Sequence, residues 1–266
     1  MVSGFISVAL WLTTTAPVDY RFGFYLAVSG LSYILSVWVL FDDLKGVEWL
    51  TLMVLPVMFT LGCGLFANFL PTAIPSMFGK TFQLETSMLL AGIFRILYFI
   101  FYALAMYGIL LIENIFSVAS IRTIQLFRAA RSVNFILTLV ASLFFYTVAL
   151  SLKLPFWWVA IIVFVVSLTL SFPSFWSVDL KGDILHDAGR YSLVVSWVTA
   201  MCGIALSFWP IKPFMGGLML TSILYALLGI LEQRLSSRVY LESLLEYGIT
   251  VIIIFVIGFL TTSWVG

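Results

Sequence analysis

Apolar runs of about 20 residues, the length a membrane-crossing helix needs, alternate along this chain with short polar clusters. After a shorter run from Met1 to Thr15 come Phe22 to Phe41, Trp49 to Leu70, Met88 to Ile112, Val133 to Leu152, Phe156 to Trp176, Tyr191 to Trp209, Phe214 to Leu231 and Tyr247 to Trp264. At about 1.5 Å per residue, each of the longer runs covers the roughly 30 Å of a bilayer's hydrocarbon core. The runs are continuously apolar, whereas the strands of a membrane barrel alternate lipid-facing and lumen-facing positions. Helices also satisfy their own backbone donors and acceptors, which lipid cannot do for them. The pattern therefore predicts an all-α, polytopic transmembrane bundle forming one domain over residues 1–266, since no repeat or linker interrupts it. The first run is shorter than the roughly 17 residues of a minimal span, so nine spans are expected with eight as the alternative. No basic residue precedes that run and a cleavage site would fall beside Pro17, so it reads as a retained segment rather than a signal peptide.

Punctuation agrees with these boundaries. Trp38, Trp49, Trp157, Trp158, Trp176, Trp209 and Trp264 lie at or near run ends, as amphipathic rings at headgroup level should. Pro17, Pro71, Pro75, Pro155, Pro210 and Pro213 fall between runs, where a missing backbone donor costs nothing.

Composition makes the lipid environment a necessity. Hydrophobic residues make up 63% and charged residues 9% of the chain, too little charge to clothe a water-facing surface. The net charge of +1 and the lack of a basic tract exclude nucleic acid as a partner and leave membrane lipids as the expected surroundings. Cys63 and Cys202 sit inside apolar runs and carry no redox signal. The connections after runs two, four, six and eight hold eight Lys and Arg residues against four in the others. That bias predicts a cell-membrane protein with its N-terminus and even-numbered loops facing the cytoplasm.

Few residues stand out as candidates for chemistry. Arg95 is the only formal charge inside a run, and a cation in hydrocarbon either snorkels to the interface or finds a partner. Asn68, near the corresponding end of the preceding antiparallel run, is a neutral hydrogen-bond candidate for it. Run three carries Pro56, Gly62 and Gly64, a combination that predicts a kink or local break of the kind that lines transporter paths. The densest polar loop contains Asp183, His186, Asp187 and Arg190; its charges can neutralise one another at i, i+3, and no second histidine or cysteine stands at metal-ligand spacing. No metal or cofactor is expected. Along Glu232 to Glu246, Arg234, Arg238, Glu242 and Glu246 form one i+4 ridge, a wet face or a docking face for a protein partner. In run seven, Ser192, Ser196 and Ala200 form a small-residue ridge that permits close helix contact, within the chain or between copies.

The segment Glu113 to Ser132 (ENIFSVASIRTIQLFRAARS) is loosely amphipathic, with Arg128 and Arg131 on one face and Phe116, Ala119, Leu126 and Ala130 opposite. It is expected to lie along the membrane surface with its cations among anionic headgroups. This segment resembles a stretch of uncharacterised bacterial polytopic membrane proteins grouped as a domain of unknown function, a resemblance that implies a multi-pass fold and no activity.

The absences narrow the function classes. Every lysine lies in a loop, so no retinal Schiff base is available in mid-span. No nucleophile elbow, zinc-protease helix, Walker loop or dinucleotide turn occurs, so no catalytic residue is assigned. All twelve acidic residues lie outside the runs, unlike those of proton-coupled pumps. The leading expectation is a non-enzymatic structural, sensory or assembly component with partners at its cytoplasmic loops. A small-solute or lipid transporter using Arg95 and run three is the alternative, and a lipid-modifying enzyme using Asp183, His186 and Asp187 is the second.

Overall fold

The computed structural model describes every residue except 42–47, 75, 78–79, 82, 122–124, 179–184, 237–240 and 263–266. Among the described residues the chain forms nine helices: α1 Val2–Thr13, α2 Val18–Leu40, α3 Glu48–Ala67, α4 Leu84–Ile121, α5 Phe127–Ser151, α6 Phe156–Trp176, α7 Leu185–Ser207, α8 Pro213–Leu235 and α9 Leu241–Thr261. Between α3 and α4 a two-residue hairpin pairs β1 (Ser76–Met77) with β2 (Lys80–Thr81), Ser76 opposite Thr81 and Met77 opposite Lys80. The protein is thus the all-α bundle its pattern predicts. Seven helices, α2 and α4 to α9, are long and apolar enough to cross a membrane. With 20 residues, α3 also reaches about 30 Å.

The first run does not span. With its 12 residues, α1 covers about 18 Å. It is packed as a wedge, with Ile6 and Leu10 fully buried and the Ser7 hydroxyl donating to the Phe99 carbonyl of α4 at 2.8 Å. The count is therefore eight helices of spanning length plus a half-length one.

The outer surface is apolar, as lipid requires. Met88, Ile93, Phe94, Ile96, Leu97, Ile100 and Leu104 of α4 are all more than two-fifths exposed, as are Ile249, Ile252, Val256 and Leu260 of α9. Gly258 is the one buried residue of α9, which packs on α8 at the edge of the bundle. Many hydroxyls inside are tied to nearby backbone, whereas those of Ser36, Thr147, Ser171 and Thr221 have no partner among the described residues. In α7 the hydroxyls of Ser192, Ser196 and Thr199 donate to the carbonyls one turn back, of Ala188, Ser192 and Val195. That ridge is buried within the chain, and α6 and α7 make the most extensive helix pair, so its small residues serve an internal contact.

Two helices depart from their predicted limits in the same way. The apolar runs four and eight end at Ile112 and Leu231, just before Glu113 and Glu232. In the structure α4 continues nine residues past Ile112 to Ile121, and α8 continues to Leu235. The segment Glu113 to Ser132 is therefore not a separate surface helix. Its first part ends α4, with Phe116 and Ala119 buried in the core, and its last part begins α5. The Phe116 ring meets Phe127 edge-on at 5.6 Å between centroids. The predicted ridge from Arg234 to Glu246 is likewise divided between the end of α8 and the start of α9, and Arg238 lies outside the described residues.

Glycines set the closest approaches. A Cβ built on Gly217 of α8 would sit 2.3 Å from Thr147 Oγ1 and 3.0 Å from the Thr147 backbone nitrogen of α5, so only a hydrogen fits between these two helices. On α4, a Cβ at Gly108 meets nothing within 4 Å. Gly217→Val is expected to cost about 1–3 kcal/mol through overpacking. Gly108→Ala is expected to be neutral or slightly stabilising. Thermal unfolding in detergent checks both, and equal midpoints for the two variants would refute the close-contact role of Gly217.

Candidate functional site

The predicted candidates do not converge. Arg95 is half-buried on α4 among exposed Ile93, Phe94, Ile96 and Leu97, and it makes no ion pair among the described residues. Asn68, just past the end of α3, has a different cation. Its side-chain oxygen accepts from Arg21 Nη1 at 3.3 Å and from the Tyr25 hydroxyl at 3.1 Å, which ties the start of α2 to the end of α3. The expected Arg95–Asn68 pair does not form.

Nor does α3 break. It stays helical through Pro56, Gly62 and Gly64. The Thr60 hydroxyl donates to the Pro56 carbonyl at 2.8 Å, which leaves the Tyr102 hydroxyl, also 2.8 Å away, to donate to Thr60; Ser32 Oγ lies 3.1 Å from the same oxygen. These hydroxyls stitch α2, α3 and α4 together around the proline. The glycines make room for rings: a Cβ on Gly64 would lie 2.9 Å from Tyr25 Cδ1, and one on Gly62 would lie 3.1 Å from Phe145 Cε2.

Of the polar loop, Asp183 lies outside the described residues and His186 falls in the first turn of α7. Asp187 and Arg190 are exposed and unpaired with each other. No group of three His, Cys, Asp or Glu residues able to hold a metal occurs among the described residues.

The structure assembles a different site, from residues that the sequence places in loops or at run ends. Arg131 in the second turn of α5 pairs with Glu232 in the last turn of α8, with Nη2 3.1 Å from Oε2. The second carboxylate oxygen accepts from Ser174 Oγ of α6 at 2.7 Å. One carboxylate thus joins three helices at the end of the bundle that carries the even-numbered connections. The side chains of Arg131 and Glu232 are 24% and 12% exposed, so this is the one ion pair among the described residues and a largely buried one. Glu113 of α4 is also buried, at 2% exposure, and makes no ion pair among the described residues. Glu113 and Glu232 thus lie buried within helices that continue past their apolar runs.

Beside the ion pair, α5, α8 and α9 enclose a groove of about 580 Å³. On α5 it is lined by Arg128, Arg131, Ser132, Phe135, Ile136 and Leu139, which follow one helical face at i, i+3 and i+4 steps. On α8, Tyr225, Gly229, Glu232, Gln233 and Ser236 do the same, and α9 contributes Tyr247. Gly229 exists for that tyrosine: a Cβ there would stand 2.4 Å from Tyr247 Cζ. The Tyr247 ring meets Tyr225 edge-on at 5.0 Å, and Tyr225 in turn meets Phe135 at 5.8 Å. Gln233 Nε2 donates to the Tyr247 hydroxyl at 3.3 Å, while Gln233 Oε1 is buried without a partner among the described residues.

Glu232 has both oxygens engaged, one by a cation and one by a hydroxyl. The site escaped sequence reasoning because its members are far apart in the chain, Arg131 and Glu232 by 101 positions. A signal did exist: Leu231-Glu232-Gln233-Arg234-Leu235 has good helix-forming residues throughout, which argues that helix eight outlasts its apolar run.

A family model with the description "Protein of unknown function (DUF5656)" matches residues 36–261. No curated protein and no solved structure matches the chain.

Breaking the pair one residue at a time strands a charge, so Arg131→Met alone or Glu232→Met alone is expected to cost about 3 kcal/mol, the lower end for a buried pair that retains some solvent. Arg131→Met combined with Glu232→Met is expected to recover most of that loss, because no charge is then left buried. Chemical or thermal unfolding of the two single variants and the double variant measures the coupling. Strictly additive losses would show that the pair holds nothing together.

Proposed function

The chain belongs to the DUF5656 family of unknown function, and from its own geometry we propose that it is a non-enzymatic assembly or sensory component of the membrane whose recognition site is the groove between α5, α8 and α9. The observation that carries this reading is the Arg131–Glu232–Ser174 clamp. It fixes three helix ends and builds a charged, laterally open wall of the groove from a carboxylate that is already saturated. Transport draws on a polar path to Arg95 through a broken third helix, yet α3 is unbroken and Arg95 lines none of four cavities formed by the described residues. Those cavities lie against α1 and α4, against α9, and at the two ends of α5. By the excess of Lys and Arg in the even-numbered loops, the groove faces the cytoplasm.

A photoreactive label on a cysteine in place of Ser132, at the groove, tests this in native membranes against the same label in place of Trp197, which is 61% exposed on α7. A discrete adduct at position 132 and none at 197 is expected, together with no solute-dependent flux from proteoliposomes across ions, sugars, amino acids and nucleosides. Equal capture at the two positions, no capture at 132, or a flux that Gly229→Leu abolishes would overturn the reading.

A further inference from the structure

The groove is graded along the helix axes. Arg128, Arg131, Ser132, Glu232, Gln233 and Ser236 occupy the end nearest the α4–α5 and α8–α9 connections, whereas Phe135, Ile136, Leu139 and Tyr225 line the part that runs inward. From Arg128 to Leu139 is eleven residues, a distance of about 16 Å along α5. Polar groups at headgroup level followed by apolar ones toward the bilayer centre match an amphiphile lying along the membrane normal.

The charges specify its sign. Glu232 cancels Arg131 within the clamp, while Arg128 is exposed and makes no ion pair among the described residues, so it is the one charged lining residue of the groove outside the clamp. Gln233 adds a second polar group, since its Oε1 is buried with no partner among the described residues. Whichever way that amide is turned, one of its two polar atoms has no partner among them.

We propose that the groove is a binding site for a phospholipid of single negative charge with a hydroxyl-bearing headgroup: the phosphate meets Arg128, a headgroup hydroxyl meets Gln233, and one acyl chain runs along Ile136 and Leu139. This rests on reading the groove as the recognition site. A free phosphate leaves the inner half of the groove unused, and a neutral apolar molecule leaves Arg128 and Gln233 unanswered. The gradient is the feature that separates a lipid from either.

Native mass spectrometry of the full chain in detergent, titrated with dioleoylphosphatidylglycerol, dioleoylphosphatidylcholine or inorganic phosphate, tests it. Phosphatidylglycerol is expected to bind more tightly than phosphatidylcholine, and Arg128→Gln to weaken it roughly fivefold, the effect of one interfacial cation, while leaving phosphatidylcholine unchanged. Leu139→Trp, which fills the inner end, is expected to weaken both lipids. Arg95→Gln, which removes a cation away from the groove, is expected to change neither. Arg128 is exposed, so its variant keeps the test alive should Leu139→Trp not fold. A phosphatidylglycerol preference that survives Arg128→Gln, or that falls equally with Arg95→Gln, would overturn the proposal, as would displacement of the lipid by equimolar phosphate. Selective capture at position 132 without any phosphatidylglycerol preference would sink the lipid and spare the recognition site, whereas loss of both would sink both.

Discussion

Hydrocarbon offers no hydrogen bonds, and this constraint organises the whole molecule. Each polar atom that folding carries into the bilayer without a partner from the chain costs free energy. Serine and threonine can find one within one helical turn, as Ser167, Ser192 and Ser196 do, so small polar residues line the α6–α7 contact without needing water. Their small size then lets the helices approach, and close packing supplies the attraction that hydrophobicity cannot supply among lipid tails. Pro56 shows the same rule from the other side. Hydroxyls from three helices gather beside Pro56: those of Thr60 and Ser32 donate to its carbonyl, and the Tyr102 hydroxyl bonds Thr60.

Close approach and separation along one helix pair create the groove. Near their other end α5 and α8 touch where Gly216 and Gly217 face Leu150 and Thr147. Toward the even-numbered loops the contact is made by the rings of Phe135, Tyr225 and Tyr247, which are too large for backbones to close upon. Glycine at one end and aromatics at the other leave a groove flanked by α9, and Gly229 lets the Tyr247 ring sit against α8. The shape of the site is thus a consequence of side-chain size along two helices.

The fold was legible because its driving pattern is local. Helix α6 begins at Phe156 and ends at Trp176, the limits that its apolar run, Pro155 and Trp176 mark out. The errors cluster where a charge was taken to end a span: Glu113 and Glu232 each lie inside a helix, and the periodicity of Ile109, Ile112, Phe116 and Ala119, all buried, continues across Glu113. The site was not legible. Arg131 and Glu232 become partners only through the packing of α5 against α8, a tertiary event for which no spacing in the chain is a signal. Arg95 drew attention for the opposite reason, since a charge inside an apolar run is conspicuous in sequence even when the fold gives it no site to build.

The placement of the ion pair follows from energetics. A desolvated pair contributes little net stability, because attraction at short range is offset by the cost of removing two charges from water. Placed at mid-bilayer, the pair would face the full desolvation cost. At the helix ends, with 24% of Arg131 still exposed, the cost is lower while the geometric demand is unchanged. What the pair supplies is register: Glu232 satisfies both oxygens only when α5, α6 and α8 hold one relative height, since a shift of a single turn, about 5.4 Å, breaks both contacts. The same height brings Arg128, one turn before Arg131 on the same face of α5, and Gln233, one residue after Glu232 on α8, to one end of the groove. A neutralised pair in the wall therefore leaves Arg128 as the one charged lining residue outside the clamp.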